Sequence, residues 1–300
     1  MKAIVLNEYG DSSKLVPASL DEPKPAEGEL EVRVAAAGLN PIDWKVRSGA
    51  MKAFIPLDLP AVLGRDVSGQ VVALGSAVTG FAIGDTVMGL VQHGYAELVT
   101  APATTFARVP AGLSLEDAAV IPLAGLTGTQ LAEEVADVQR NQTVLVTGAV
   151  GPVGRFAAWA ARKRGARVIA GVRGRQLNEA RELGVLASAI DDDGAISALP
   201  PLDVICDTVG GATVAKLSRR VRDGGLIVST VGQPPADPTR TLRVKGMLVH
   251  PDGKRLAALA RAVADGEVKL PIARRFPMEQ AAQAHQFAEA GPGGKVLLTV

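Results

Sequence analysis

The sequence predicts an α/β protein of two parts: a β-rich domain, and a doubly wound parallel sheet. Three observations predict it. The chain has 300 residues; at about 150 residues per domain that length accommodates two domains, each able to bury its own core. Roughly its first 110 residues read as short apolar runs punctuated by glycine, which is the pattern of strands and turns. Beyond residue 112 apolar strands alternate with Ala-rich helical stretches, the signature of parallel strands joined by helical crossovers.

Taken in order, strands are expected at Ala3 to Leu6, Glu29 to Ala37, Val67 to Leu74, Thr86 to Val91 and Ala96 to Thr100. Gly28, Gly38, Gly64, Gly75, Gly80, Gly84 and Gly94 mark the turns between them. One short helix fits Asn40 to Arg47, with Pro41 at its first position. Ser114 followed by Asp117 reads as an N-cap with an acidic N3 residue. The helix that follows is broken near Pro122 and runs to about Val138. Strands are then expected at Thr143 to Thr147, Arg167 to Gly171, Asp203 to Cys206 and Leu226 to Thr230. Helices are expected at Pro152 to Arg164, Gln176 to Leu183, Thr213 to Val221 and Lys254 to Ala264, with a last strand at Lys295 to Val300.

Composition narrows the function. The formal net charge is +1, which argues against a nucleic-acid partner and against a polybasic membrane anchor. Apolar residues are 47% and charged ones 21%, a globular balance. The single cysteine rules out an internal disulfide and a cysteine-built zinc site. The start reaches Asn7 and Glu8 too soon for a signal peptide, and no long apolar run marks a membrane span. A cytoplasmic location is therefore expected.

The most informative segment is Thr147-Gly148-Ala149-Val150-Gly151-Pro152-Val153-Gly154. It lies between an apolar strand and a helix. A pyrophosphate site needs a tight turn, close backbone approach and tight helix–strand packing, and glycine serves each need. The helix start then offers free N–H groups and the positive end of its dipole. An ordinary tight turn is the competing reading. NAD enzymes carry an acid after the second strand, for the ribose hydroxyl. Here that stretch holds Arg173 and Arg175 instead. Guanidinium forks suit a phosphate, so the expected cofactor is NADPH; two solvated loop arginines are the alternative.

Other chemistries lack their residues. Neither Tyr9 nor Tyr95 is followed four residues later by lysine. His93, His250 and His285 have no metal-ligand spacing. Cys206 lies in an apolar strand and reads as a core residue. Redox chemistry would come from a cofactor, with the protein supplying orientation and electrostatics.

Several blocks then resemble a known family. They are Gly38-Leu39-Asn40-Pro41-Ile42-Asp43-Trp44-Lys45, Pro60-Ala61-Val62-Leu63-Gly64-Arg65-Asp66-Val67-Ser68-Gly69, Gly75 to Phe81 with Gly84 to Val87, Pro122 to Thr127, Asp207 to Gly211, and Gly294-Lys295-Val296. Together they resemble the zinc-independent quinone oxidoreductase, or zeta-crystallin-like, branch of the medium-chain dehydrogenase/reductase superfamily. The resemblance implies a GroES-like domain over 1–112, completed by 265–300, and a Rossmann domain over 113–264, with the cofactor in the cleft between them. It implies hydride transfer from NADPH to a quinone or an α,β-unsaturated carbonyl compound, and a homodimer formed through the sheet edge near Leu242 to Val249. Zinc relatives carry a His-Glu pair where this chain has Arg65-Asp66.

Residue by residue, the resemblance puts Asn40 and Thr127 near the nicotinamide and substrate, with Asp43 and Lys45 as further candidates at the chemistry. Thr147, Gly148, Ala149, Val150, Gly151, Pro152, Val153, Gly154, Arg173, Arg175, Thr208, Val209, Val231, Gly232, Met247 and Leu248 are the expected cofactor contacts. Plainer roles compete. Asn40 could only shape the turn before Pro41, Thr127 could bond its own helix backbone and Asp43 could pair with Lys45, while Arg65 could bind an oxygen of the substrate or merely pair with Asp66 or another acid. Two departures stand out: Met51, Ala53 and Phe54 occupy a stretch where quinone-active relatives often carry tyrosine, and the segment from Thr230 to Lys254 is short. No metal is expected. A nucleotide-binding member with little turnover and an enoyl reductase acting on acyl thioesters are the rival functions.

Overall fold

The computed structural model describes residues 1–232 and 240–300. The chain forms two compact units, Met1–Leu123 with Pro251–Val300, and Ala124–His250. The first unit thus keeps residues 113–123 and 251–264, which the sequence reading placed with the second.

The elements run β1 (Lys2–Leu6), β2 (Leu15–Ser19), β3 (Glu29–Gly38), α1 (Pro41–Arg47), β4 (Ala61–Val62), β5 (Asp66–Leu74), β6 (Thr86–Leu90), β7 (Leu98–Pro102), β8 (Phe106–Arg108) and α2 (Leu115–Ala118). They continue with α3 (Pro122–Gln130), β9 (Thr143–Thr147), α4 (Pro152–Lys163), β10 (Arg167–Val172), α5 (Leu177–Arg181), β11 (Leu186–Ala189), α6 (Asp193–Ser197), β12 (Leu202–Asp207), α7 (Gly211–Leu217), β13 (Val221–Ser229) and β14 (Arg243–Gly246). They end with α8 (Gly253–Ala264), β15 (Ile272–Pro277), α9 (Ala281–Glu289) and β16 (Lys295–Thr299).

In the first unit β1 sits between β2 and β4, and a larger sheet runs β15-β16-β3-β5-β6-β8, with β7 also on β3. The strands missed in sequence are short: β2, β4, β8, β11, β14 and β15 owe their state to pairing partners rather than to local pattern. The C-terminal strand β16 closes onto β3, with Leu298 opposite Ala37. Alternate residues of β3 (Leu30, Val32, Val34) and β5 (Val67, Val71) point into one core with Tyr95, Phe106, Phe276 and Leu298. Ser114 does cap α2, its Oγ accepting from Asp117 N at 3.0 Å.

The second unit is a six-stranded parallel sheet in the order β11-β10-β9-β12-β13-β14. Counted along this unit, that order is 3-2-1-4-5-6, the Rossmann arrangement, with its topological switch between β9 and β12. Both faces are covered, as parallel sheets require. Val144, Val146, Val204, Cys206, Leu226 and Val228 pack into one core, whereas Leu145, Ile205 and Ile227 pack into another on the opposite face. Among the described residues no helix is long and apolar enough to cross a membrane.

Candidate functional site

In the second unit the site is built at the switch point, at the carboxyl ends of β9 and β12. Strand β9 ends in Thr147, and the chain turns through Gly148 at φ +61°. A Cβ there would stand 2.6 Å from Thr208 Oγ1. A Cβ at Gly154 would stand 2.3 Å from Gly148 O and 2.7 Å from Ala149 Cα, so α4 rests directly on the turn. At Gly151 a Cβ would meet only Gly148 O, at 3.1 Å. The outer face of the turn is therefore open to a ligand's approach.

Helix α4 begins after Gly151 with Pro152 in its first turn; it has no side-chain cap and no acid in that turn. Its first N–H groups and the positive end of its dipole are thus left without an acidic or side-chain partner of their own. Sequence reasoning named this turn but missed what holds it. Asp207, fully buried, accepts from Thr147 Oγ1 at 2.7 Å, Val209 N at 3.1 Å and Gly210 N at 3.0 Å through one oxygen, and from Ser229 Oγ at 2.7 Å through the other. It ties the carboxyl ends of β9, β12 and β13 together. The signal was present: an acid closing the apolar run Val204-Ile205-Cys206.

The expected cofactor residues take different places in the structure. Thr147, Ala149 and Val150 are buried framework; the Thr147 hydroxyl also accepts from Thr208 N, and Thr208 Oγ1 donates to Thr147 O. Gly148, Gly151, Pro152, Val153 and Gly154 form the turn and helix start. Val209, Val231 and Leu248 are exposed apolar side chains after β12, β13 and β14. Gly232 is exposed beside Val231, and Met247 packs partly into the sheet core. Arg173 and Arg175 are exposed after β10 and meet no acid among the described residues. Nearby Asp191 is taken up by Gly174 N at 2.8 Å. The short segment after Thr230 includes residues 233–239, which lie outside the described residues.

Thr127 sits in α3, every residue of which is buried. The next residue, Gly128, packs so closely on α4 that a Cβ would be 2.4 Å from Val153 O. The Thr127 hydroxyl is buried and, among the described residues, has no hydrogen-bond partner. Back-bonding to its own helix, the competing expectation, does not occur there; Thr129 does that instead, donating to Gly125 O at 2.8 Å.

In the first unit Asn40 and Asp43 belong to a buried polar network. Asn40 Nδ2 donates to Asp66 Oδ2 at 2.9 Å and to Gly38 O at 3.3 Å. Its Oδ1 accepts from Lys295 Nζ at 2.6 Å, and Lys295 also reaches Leu39 O at 3.0 Å and Asp66 Oδ2 at 3.3 Å. Asp66 further accepts from Leu123 N at 2.6 Å. Asp43 accepts from Asn40 N at 2.8 Å and from Tyr95 OH at 3.1 Å. The chain continues from Tyr95 OH to His285 Nε2 at 3.2 Å, then from His285 Nδ1 to Arg47 Nη1 at 3.2 Å, and from Arg47 to Glu289 at 2.7 Å. Arginine only donates, so His285 accepts at Nδ1 and its proton lies on Nε2.

Burial dominates the titration of these groups. It pushes the Asp43 carboxyl up to about 7, against the hydrogen bond from Asn40 N. It raises Asp66, with Lys295 the largest opposing influence. His285 is pushed down to about 3, by burial and then by Arg47. Cys206, fully buried, is pushed up to about 12 by burial, as suits a core residue. The expected Asp43–Lys45 pair does not form: residues two apart on a helix face different ways, and Asp43 turns inward. Lys45 is half-buried and joins no ion pair among the described residues. The Arg65–Asp66 pair does not form either, because Lys295 and Asn40 occupy Asp66. Among the described residues no three His, Cys, Asp or Glu side chains gather as a metal site.

Residues 26–111 match the family model described as an alcohol dehydrogenase GroES-like domain, and residues 185–298 the one described as a zinc-binding dehydrogenase. A chloroplast envelope quinone oxidoreductase homolog of Arabidopsis thaliana is 28% identical over 309 residues, 95% of this chain and 93% of that protein. The solved quinone oxidoreductase from Coxiella burnetii is 30% identical with a TM-score of 0.86, covering 100% of this chain and 99% of its own. A crystal structure of an NAD-dependent alcohol dehydrogenase is also 30% identical, with a TM-score of 0.88 over 100% of both chains.

Proposed function

The chain belongs to the medium-chain dehydrogenase/reductase superfamily, in its quinone oxidoreductase branch, and on that premise we propose that it is a zinc-independent NADPH-dependent reductase of quinones or α,β-unsaturated carbonyl compounds. The observation that carries the cofactor half is the pair of unpaired arginines, Arg173 and Arg175, after the second strand of a sheet whose first strand leads into an open glycine turn. Members of this family bind NAD or NADP. An acid after that strand would serve the ribose hydroxyl, whereas two guanidinium groups serve a 2′-phosphate.

The α4 N-terminus and the Gly148–Gly154 turn would hold the pyrophosphate. The Thr127 hydroxyl and the apolar side chains Val209, Val231, Met247 and Leu248, with Gly232, would meet the nicotinamide end. When bound, the reduced nicotinamide supplies a hydride. Lys45 and Thr127 keep polar groups free for substrate or cofactor. Asn40 and Asp43 spend theirs on the network and position α1. With no metal-ligand cluster among the described residues, the acceptor proposed is one already electrophilic. The chain is proposed to act in the cytoplasm as a homodimer paired through β14, the outermost strand of its sheet.

One observation favours a second reading, a nucleotide-binding member with little turnover: the polar atoms of Asn40 and Asp43 are consumed internally. Calorimetric titration with NADPH and with NADH, followed by an enone and quinone panel, separates the two. Replacing both Arg173 and Arg175 with alanine should cost about 1.5–3 kcal/mol of NADPH affinity per charge-assisted bond lost, and leave NADH affinity nearly unchanged. Equal wild-type affinity for the two cofactors would sink the assignment.

A further inference from the structure

In the first unit a half-buried guanidinium stands outside this network. Arg65 stands half-buried just before β5. Its Nε is sealed from water and meets no hydrogen-bond partner, and its guanidinium joins no ion pair among the described residues. A guanidinium cannot shed its proton, so holding one partly desolvated and unpaired opposes folding. The nearest acid along the chain is already taken: Asp66 accepts from Leu123 N, Asn40 Nδ2 and Lys295 Nζ.

The backbone around Arg65 is nonetheless held firmly. Val91 N donates to Arg65 O at 2.8 Å, Gly94 N to Gly64 O at 3.0 Å, and Tyr95 N to Leu63 O at 2.9 Å. Within that ladder His93 takes the left-handed conformation, φ +61°, and its Nδ1 lies 3.1 Å from Val62 O. Such a conformation is uncommon for a residue with a side chain, and persists only where its surroundings enforce it. A rigid frame thus presents a positive charge that the protein leaves uncompensated. Preorganised charge of this kind stabilises charge that develops during a reaction.

We propose that Arg65 binds the carbonyl oxygen of the acceptor and stabilises the negative charge it gains on reduction; this rests on the reductase reading above. In an enone, the hydride's electron pair forms the new C–H bond at the β-carbon. The C=C pair moves to the bond between the α-carbon and the carbonyl carbon, and the C=O π pair moves onto oxygen, against Arg65. Water then gives a proton to the α-carbon and the carbonyl re-forms. The acceptor gains two electrons and the nicotinamide loses two.

Arg65→Met keeps the apolar stem and removes the charge; Arg65→Lys restores a point charge without the fork. With NADPH, R65M should lose about 100-fold in kcat/KM for cyclohexenone. It should lose less for benzoquinone, which needs less help, and R65K should recover part of the loss. NADPH affinity should stay within about twofold and folding stability should not fall, because an uncompensated charge is removed. Benzoate, whose carboxylate carries the charge that the acceptor oxygen would gain, is the turnover-free probe. Its Kd in the presence of NADP⁺, by calorimetry, should rise at least about tenfold in R65M. Unchanged benzoate affinity in R65M overturns the assignment whatever the turnover. Benzoate binding that depends on Arg65 in a wild type that reduces neither acceptor supports the anion site and removes the reductase reading instead.

Discussion

Replacing Lys295 with methionine would expose what the buried network is worth. Lys295 is nearly inaccessible, and its ammonium donates to Asn40 Oδ1, Leu39 O and Asp66 Oδ2. Methionine keeps most of the stem volume and removes the cation that is bonded to Asp66. Taking one partner from a buried ion pair costs about 3–5 kcal/mol, since the other charge is left uncompensated. Two neutral acceptors also lose a donor, adding on the order of 1 kcal/mol each where nothing replaces it. The loss should depend on pH. Burial already raises Asp66, and Lys295 is the largest influence against that rise, so the variant's folded state holds the Asp66 proton to higher pH than wild type does. Stability gained from a raised folded pKa is present below the unfolded value and lost as pH rises through the folded one. The deficit in K295M should therefore be larger near pH 8 than near pH 5.

The two tryptophans make the assay specific, because Trp44 lies in the first unit and Trp159 in the second. Urea unfolding followed by fluorescence in a Trp159→Phe background reports the first unit. The expected loss is about 3–5 kcal/mol near pH 8, with part of it recovered by adding Asp66→Asn. A loss below about 1 kcal/mol, or strict additivity of K295M and D66N, would refute the reasoning.

The same assay tests Asp43 and His285, which pull in opposite directions. Asp43 has its folded pKa raised to about 7, so it contributes stability at acid pH that is lost as pH rises toward neutrality; His285, lowered to about 3, loses stability as pH falls below its unfolded value, because only the unfolded chain takes up the proton. Relative to wild type, Asp43→Asn should then lose stability, and His285→Gln gain it, as pH drops from about 7 to 4, by a few kcal/mol at most; parallel pH profiles for both variants would contradict this. Thr127→Val should leave folding unharmed, since its hydroxyl is an orphan, yet weaken NADPH binding by about 0.5–1.5 kcal/mol; calorimetry beside a melting curve separates the two effects. Gly154→Ala should cost about 1–3 kcal/mol in unfolding followed by Trp159, because its Cβ would strike backbone at Gly148 and Ala149, and an unchanged urea midpoint would show that the turn yields.

Much of the second unit was readable from sequence because its cues are local. Strand β9, the glycine turn and α4 follow from an apolar run, three glycines and Pro152 within a short stretch, and a parallel sheet follows from the alternation, though its strand order does not. The arginines after β10 were equally plain. The first unit resisted, because its short strands exist only by pairing. Its polar network was out of reach for the same reason: Arg47 and His285 meet across 238 residues, and Lys295 reaches Asp66 across 229. From sequence, Tyr95 and His285 lacked motif partners, and Asn40 and Asp43 matched residues at the chemistry. Local spacing encodes which face of one helix or strand a residue occupies. It does not encode which distant side chain closes over it. Local pattern alone carried the fold class, the glycine turn between β9 and α4, and the two arginines after β10. Only the packed structure shows that Asn40 and Asp43 are spoken for and that, among the described residues, the Thr127 hydroxyl has no partner and Arg65 no acid. Those outcomes depend on which groups reach Asp66 and Asp43 when residues far apart in the chain are packed in a space too dry to leave carboxylates unpaired.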